Sequence, residues 1–236
     1  MVDFNFVATL DAGVPHMAGI TDLHLFRRGD TTMLYSASEA DGGLTAFALA
    51  PGESAVFADQ IGAALNRGTY GLSAIDTLTV GGRSVLVPAG RHDDRLAFHK
   101  LDGAGELDGV QILGGDTALL GNLEELLTLQ IDGKSFMVAS QWGQSGFRSY
   151  RIRDELSVEH KRHFADSDTA HIEDVTAMAS VDVDGRNYFF TASAAENGVT
   201  AWWMGRWGNI KERGSLDAED GLWVSGPSPL DPAVVA

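Results

Sequence analysis

Residues 175–204 read VTAMASVDVDGRNYFFTASAAENGVTAWWM, and the fold is decided there. An apolar run, VTAMASVDV, meets Asp184-Gly185; a second, NYFFTAS, meets the polar AAENG; a third, VTAWWM, follows. Asp-Gly tolerates positive φ at both centres of a two-residue hairpin turn. Runs of β-branched and aromatic residues between such turns read as strands. After Gly205 the more polar NIKERG supplies a fourth, so the stretch predicts one small antiparallel sheet.

The same layout occurs three times upstream, giving units at about 19–70, 71–122, 123–174 and 175–222. Their opening runs are ITDLHLF, LSAIDTLTV, LEELLTLQI and VTAMASVDV, closed by Gly29-Asp30, Gly81-Gly82, Asp132-Gly133 and Asp184-Gly185. In the second runs a small residue recurs at Ala37, Ala89, Ser140 and Ala192, spaced 52, 51 and 52. In the third runs an aromatic recurs at Phe47, Phe98, Tyr150 and Trp202, spaced 51, 52 and 52. Four short strands per fixed period are the pattern of a propeller blade. The expected fold is therefore all-β, a β-propeller of four-stranded antiparallel blades in one domain over residues 1–236. A sandwich with chance similarity would not hold these columns to within one residue across four copies. Residues 119–129 alone look helical, and the register assigns most of them to an innermost strand.

A single sheet cannot bury both faces, so blades stack and recurrent large side chains are packing. Trp142, Trp202, Trp203 and Trp207 accordingly read as core or rim before they read as a ligand cage. Closure is a separate matter. VDFNFVATL (residues 2–10) resembles an orphan outermost strand, and no further hairpin follows NIKERG. Two arrangements fit: a closed ring of four blades, or the leading part of a larger ring of about seven. The orphan strand favours the second. An open stack leaves sheet faces uncapped and favours self-association.

Composition narrows the partners. The formal charge of −16 repels phosphate, and the basic cluster Arg151, Arg153, Lys161 and Arg162 is interleaved with Asp154, Glu155 and Glu159, so nucleic acid is not expected. With no cysteine, neither disulfides nor thiolate metal sites exist. No run of eighteen apolar residues predicts a membrane span. The opening MVDFNFVATLDAGV has no basic n-region and is not an ordinary signal peptide.

Written out, the repeat resembles propellers of the lactonase-like class, above all the propeller repeats of large bacterial hemolysin-type (RTX) calcium-binding proteins. VGGRSVLVPAG with DRLAFHKLDGAGEL (within 80–107) and VDGRNYFFTAS with NGVTAWWM (within 183–204) carry the resemblance. It implies a multidomain secreted protein, exported by a C-terminal signal outside this chain, with calcium on glycine- and aspartate-rich nonapeptides. No GGxGxDxUx nonapeptide occurs here, so calcium binding transfers to no residue. A cytoplasmic location is the alternative.

Propeller sites gather where loops lead into the innermost strands. His16 and His171 each stand four residues before Ile20 and Val175, and His171-Ile172-Glu173-Asp174 is the most polar of these loops. Asn122 and Glu124 mark the third blade. His16, His171, Glu173 and Asp174 are candidate ligands for one divalent cation, calcium or another, which a lactonase would use to polarise a carbonyl. The plainer alternative makes them solvated loop residues. Arg91-His92-Asp93-Asp94 reads as a solvent turn. There is no GxSxG, Walker, GxGxxG or HExxH motif, and Gly-Gly at 81–82 and 114–115 is turn chemistry. The leading expectation is a non-enzymatic binding or scaffold propeller for a small molecule or protein; the alternative is a metal-dependent lactonase-like hydrolase. Convergent carboxylates and histidines at a channel mouth would mark the enzyme, and a channel of small or apolar groups the scaffold.

Overall fold

The computed structural model describes residues 13–51, 53–63, 67–113 and 120–221. These residues form strands only, grouped in four antiparallel sheets in chain order. Blade 1 is β1 (Ile20–Arg28), β2 (Thr31–Ser38), β3 (Gly43–Leu49) and β4 (Val56–Gly62); blade 2 is β5 (Leu72–Val80), β6 (Arg83–Gly90), β7 (Ala97–Leu101) and β8 (Leu107–Ile112). Blade 3 is β9 (Leu123–Ile131), β10 (Lys134–Gln141), β11 (Phe147–Ile152) and β12 (Val158–Phe164); blade 4 is β13 (Val175–Val183), β14 (Arg186–Ser193), β15 (Gly198–Met204) and β16 (Ile210–Leu216). The expected β-propeller of four-stranded antiparallel blades is thus observed, with four blades among the described residues rather than the larger ring that the orphan strand favoured. Leu123 onward is strand, as its register requires. The expected orphan strand at residues 2–10 and the end of the chain lie outside the described residues.

Turn chemistry matches the sequence where both centres need positive φ. Asp132 and Gly133 take φ of 48° and 69°, and Asp184 and Gly185 take 52° and 71°. The small-residue column is buried in all four blades, since the second strand is packed on both faces. The aromatic column needs one correction. Phe47, Tyr150 and Trp202 pair with Leu34, Met137 and Phe189, but in blade 2 it is His99 that pairs with the equivalent Leu86. The true column is Phe47, His99, Tyr150 and Trp202. Side chains alternate between faces with period 2, so Phe98 buries itself on the opposite face. His99 stands ten residues after Ala89, the same step that separates Ala37 from Phe47, Ser140 from Tyr150 and Ala192 from Trp202.

Three apolar clusters weld three joints. Phe26, Met33 and Tyr35 of blade 1 meet Leu72, Ile75 and Leu86 of blade 2. Leu78, Val85 and Val87 meet Leu123, Leu126 and Met137. Leu129, Phe136 and Val138 meet Val175, Met178 and Trp202. Hydroxyls stitch the same joints: Thr21 Oγ1 donates to Leu72 O (2.9 Å), Ser73 Oγ to Leu123 O (3.0 Å) and Ser140 Oγ to Val175 O (2.9 Å). Among the described residues no such cluster joins blade 4 to blade 1.

Candidate active site in the central channel

β1, β5, β9 and β13 line a central cavity of about 530 Å³, to which Asp22, His24, Asp76 and Glu125 contribute. Their placement follows from register. Opposite the small-residue column stand Asp22, Ala74, Glu125 and Ala177, one from each innermost strand. Two residues further along, His24 lies opposite Tyr35 and Asp76 opposite Val87, forming a second level. Three consecutive blades therefore each send a carboxylate inward, and blade 4 sends alanine.

An innermost strand has one edge without a β partner, so its N–H groups seek other acceptors. Ile75 N donates to Asp22 Oδ2 (2.8 Å) and Thr128 N to Asp76 Oδ2 (2.7 Å), which ties each acid to the next blade. His24 Nε2 lies 2.8 Å from Thr77 Oγ1, and its Nδ1 lies 3.6 Å from Asp76 Oδ1. Burial pushes all three carboxyl groups above their ordinary values. For Asp22, donors from Ile75 and Leu23 oppose the rise; for Asp76, His24 and the Thr128 and Thr77 N–H groups do so. Among the described residues Glu125 has only its neighbour Leu126 N (2.9 Å) as donor, and the charges of Asp22, Glu124 and Asp76 add to burial. It lies well above the usual carboxylate range.

The mouth at which the innermost strands begin is also built. Arg91 grips Glu124 through Nε and Nη2 (both 2.6 Å) and reaches Glu39 through Nη1 (3.0 Å). His92 stands edge-on between Tyr70 (6.0 Å) and Trp142 (5.4 Å), whose rings are largely exposed. Asp93 is buried and its Oδ2 accepts from Gly68 N (2.8 Å). The expected solvent turn at Arg91–Asp94 is thus corrected. Arg91 and Asp93 are structural ties, because two acids and a loop's N–H groups need partners there; His92 and Asp94 are exposed as expected, the Asp94 side chain at 80%.

The four loop residues expected to share a cation are placed as follows. His16 packs beside Gly43 and Gly62, and its Nδ1 is buried with no hydrogen-bond partner. His171 sits equivalently against Gly198 in blade 4, with Nδ1 3.4 Å from Glu196 and Nε2 3.5 Å from Asp217. Glu173 N donates to Glu196 Oε2 (2.8 Å), and its carbonyl accepts from Ser193 Oγ. Asp174 shares its backbone position with Gly19, Gly71 and Asn122, all at φ of 52–69°. Gly, Asn and Asp are the types that enter this region at least cost. Each of these residues accepts through its carbonyl, from Glu39, Arg91, Trp142 or Ala194 N. Among the described residues no three His, Asp or Glu side chains are grouped to hold a metal ion.

Sequence reading passed over Asp22, Asp76 and Glu125 because they lie inside apolar runs. The signal was present: an acid within an innermost, core-facing strand is costly and calls for a reason.

Fold and channel define the class: a β-propeller protein with a carboxylate-lined central channel. No protein-family description matches the chain, nor does any curated protein. Solved structures do. An α-L-arabinofuranosidase of Podospora anserina in complex with cellotriose superposes with a TM-score of 0.63 at 12% identity, over 97% of this chain and 77% of that one. A GH43_1 enzyme of Xanthomonas citri gives 0.57 at 11% identity, over 85% and 75%. A Lactobacillus plantarum protein gives 0.55 at 14%, over 79% of this chain and 55% of its own length, so the chain spans about half of it. At these identities the likeness is one of fold.

Proposed function

We propose that the chain is a hydrolase of glycosidic bonds, working by carboxylate acid–base chemistry in the central channel. One observation carries this: three acids from three consecutive innermost strands face one cavity, and burial with its acidic neighbours raises Glu125 well above its own ordinary value. Glycoside hydrolysis needs such a pair, a protonated acid and an ionised partner, with pKa values driven apart by environment. Glu125 fits the acid, giving its proton to the departing glycosidic oxygen. Asp22, whose two backbone donors favour the carboxylate, fits the base, taking a proton from the water that attacks the anomeric carbon. Asp76, clamped by Thr128 N and His24, orients the pair. The exposed rings of Tyr70 and Trp142 offer apolar faces to a sugar at the mouth. The propeller neighbours named for arabinofuranosidase action, or solved with xylose and xylotriose, support the substrate class by analogy of fold alone.

The test is hydrolysis of nitrophenyl pentosides and of arabino- and xylo-oligosaccharides. The wild-type chain is expected to turn over at least one, and Glu125→Gln to lose about 10²–10⁴-fold in kcat. A wild type inert on the whole panel, or a Glu125→Gln variant at full rate, would sink the reading. The scaffold role and the secreted, calcium-binding context implied by the repeat rest on the sequence alone. Cation binding by His16, His171, Glu173 and Asp174 is a separate proposal, open to calorimetric titration with Ca²⁺ and Zn²⁺; no heat of binding removes it.

A further inference from the structure

The repeat allows each face of each blade to be compared with its counterparts, and two faces stand apart. On the side turned to the preceding blade, Leu72, Leu123 and Val175 open their innermost strands at 0–2% exposure, whereas Ile20 at the same register is 42% exposed. Ile75, Leu126 and Met178 are 3–8% exposed; their counterpart Leu23 is 57% exposed, with Leu25 beside it at 53%. On the side turned to the following blade, Val80 and Ile131 end their strands buried, while Val183 is 48% exposed. Tyr188 and Phe190 of β14 are half-buried, where Val85, Val87, Phe136 and Val138 are fully buried. Blade 1 thus presents the receiving half of an inter-blade joint, and blade 4 presents the inserting half.

We propose that these faces mate between two copies of the chain, head to tail, with blade 4 of one copy packing on blade 1 of the next. The occupant is inferred from continuity with the three joints inside the molecule. Each is made from these same register positions, and among the described residues the surfaces carrying the pattern unmated are the two ends. Exposed aliphatic clusters of this kind are uncommon on monomers and mark association sites. A joint between unlike faces is heterologous, so copies close into a ring or run on as a chain. Leu23 and Leu25 also border the channel cavity, whereas Ile20 and Val183 lie outside its lining.

The experiment uses the 236-residue chain in sedimentation velocity across about 1–200 µM, a range that captures micromolar joints. Wild type is expected to form species heavier than the monomer as concentration rises. Ile20→Asp spoils only the blade 1 face and Val183→Asp only the blade 4 face, neither residue lining the channel cavity, so each variant alone should associate at least ten-fold more weakly. Mixed, they should form one-to-one pairs and nothing larger, because each still offers one intact face. Both positions are exposed, and circular-dichroism melts confirm that the variants fold. A wild type that is monomeric throughout, single variants that associate like wild type, or a mixture that stays monomeric overturns the head-to-tail joint.

Discussion

Glu125 concentrates the chemistry of the channel in a single side chain. Its folded-state pKa lies above the ordinary value of 4.5 because burial and three neighbouring acids oppose its charge. The folded chain therefore holds a proton that the unfolded chain has released. This contribution to stability is complete below about 4.5 and is lost as pH rises through the window up to the raised value. Glu125→Gln removes it, so the variant should gain on wild type as pH rises from 5 to 8, by about 2–4 °C in Tm for each kcal/mol. Calorimetry at the two pH values measures the gain, and a constant difference would show that the carboxyl is not strained. Asp174 makes the opposite case. Its left-handed backbone explains its residue type, so Asp174→Gly should leave stability nearly unchanged. Asp174→Val should cost about 1–2 kcal/mol in urea unfolding; equal effects of the two would shift the explanation to the side chain.

At the scale of the element, strands 1 to 3 of blades 2, 3 and 4 carry the packing and the fourth faces solvent; in blade 1 the first strand is largely exposed as well. Trp202 shows what a column position contributes: its ring meets Phe147 at 5.0 Å, Phe164 at 5.7 Å and Phe189 at 6.1 Å, and Nε1 donates to Thr191 Oγ1 at 2.9 Å. Trp202→Ala should cost about 3–5 kcal/mol. Trp207, exposed under Lys134 and Arg206, should cost about 0.5 kcal/mol or less when truncated. Urea midpoints separate the two, and similar losses would contradict the assignment of core and rim. His99 occupies the blade 2 place of that column at another balance. Its Nε2 is 2.9 Å from Arg67 O, and its Nδ1 is buried without a partner. Desolvation lowers its pKa, which keeps the ring neutral in a core position.

For the whole molecule, three mated joints and two free faces describe a stack whose ends match each other in type. The channel and the blade 4 end are separable: the acids sit on the innermost strands of blades 1, 2 and 3, whereas Val183 lies outside the cavity lining, which Leu23 and Leu25 of the blade 1 face border. Association through the ends should leave turnover in the channel unchanged, so Val183→Asp is expected to keep wild-type kcat on any active substrate of the nitrophenyl panel. A parallel loss of both would mean that the joint also shapes the site.

The strand count, the hairpin turns and the blade architecture were legible in the residues themselves, because alternation, turn types and a period near 52 are properties of neighbouring positions. Asp-Gly at 132–133 and 184–185 needs no tertiary context to turn, and Ala37, Ala89, Ser140 and Ala192 declare their column by spacing alone. The site and the free joint were not legible in that way. Asp22, Asp76 and Glu125 are each about 50 residues from the next, and only the stacking of twisted sheets around an axis brings them to one cavity. The slip from Phe98 to His99 is of another kind: His99 keeps the ten-residue step from Ala89 that the aromatics keep in the other blades, and a histidine in an aromatic column hid it, with a one-residue shift putting Phe98 on the opposite face. Local periodicity specifies what each blade is; burial, which depends on all the blades together, decides which of its residues are left facing the channel or the solvent.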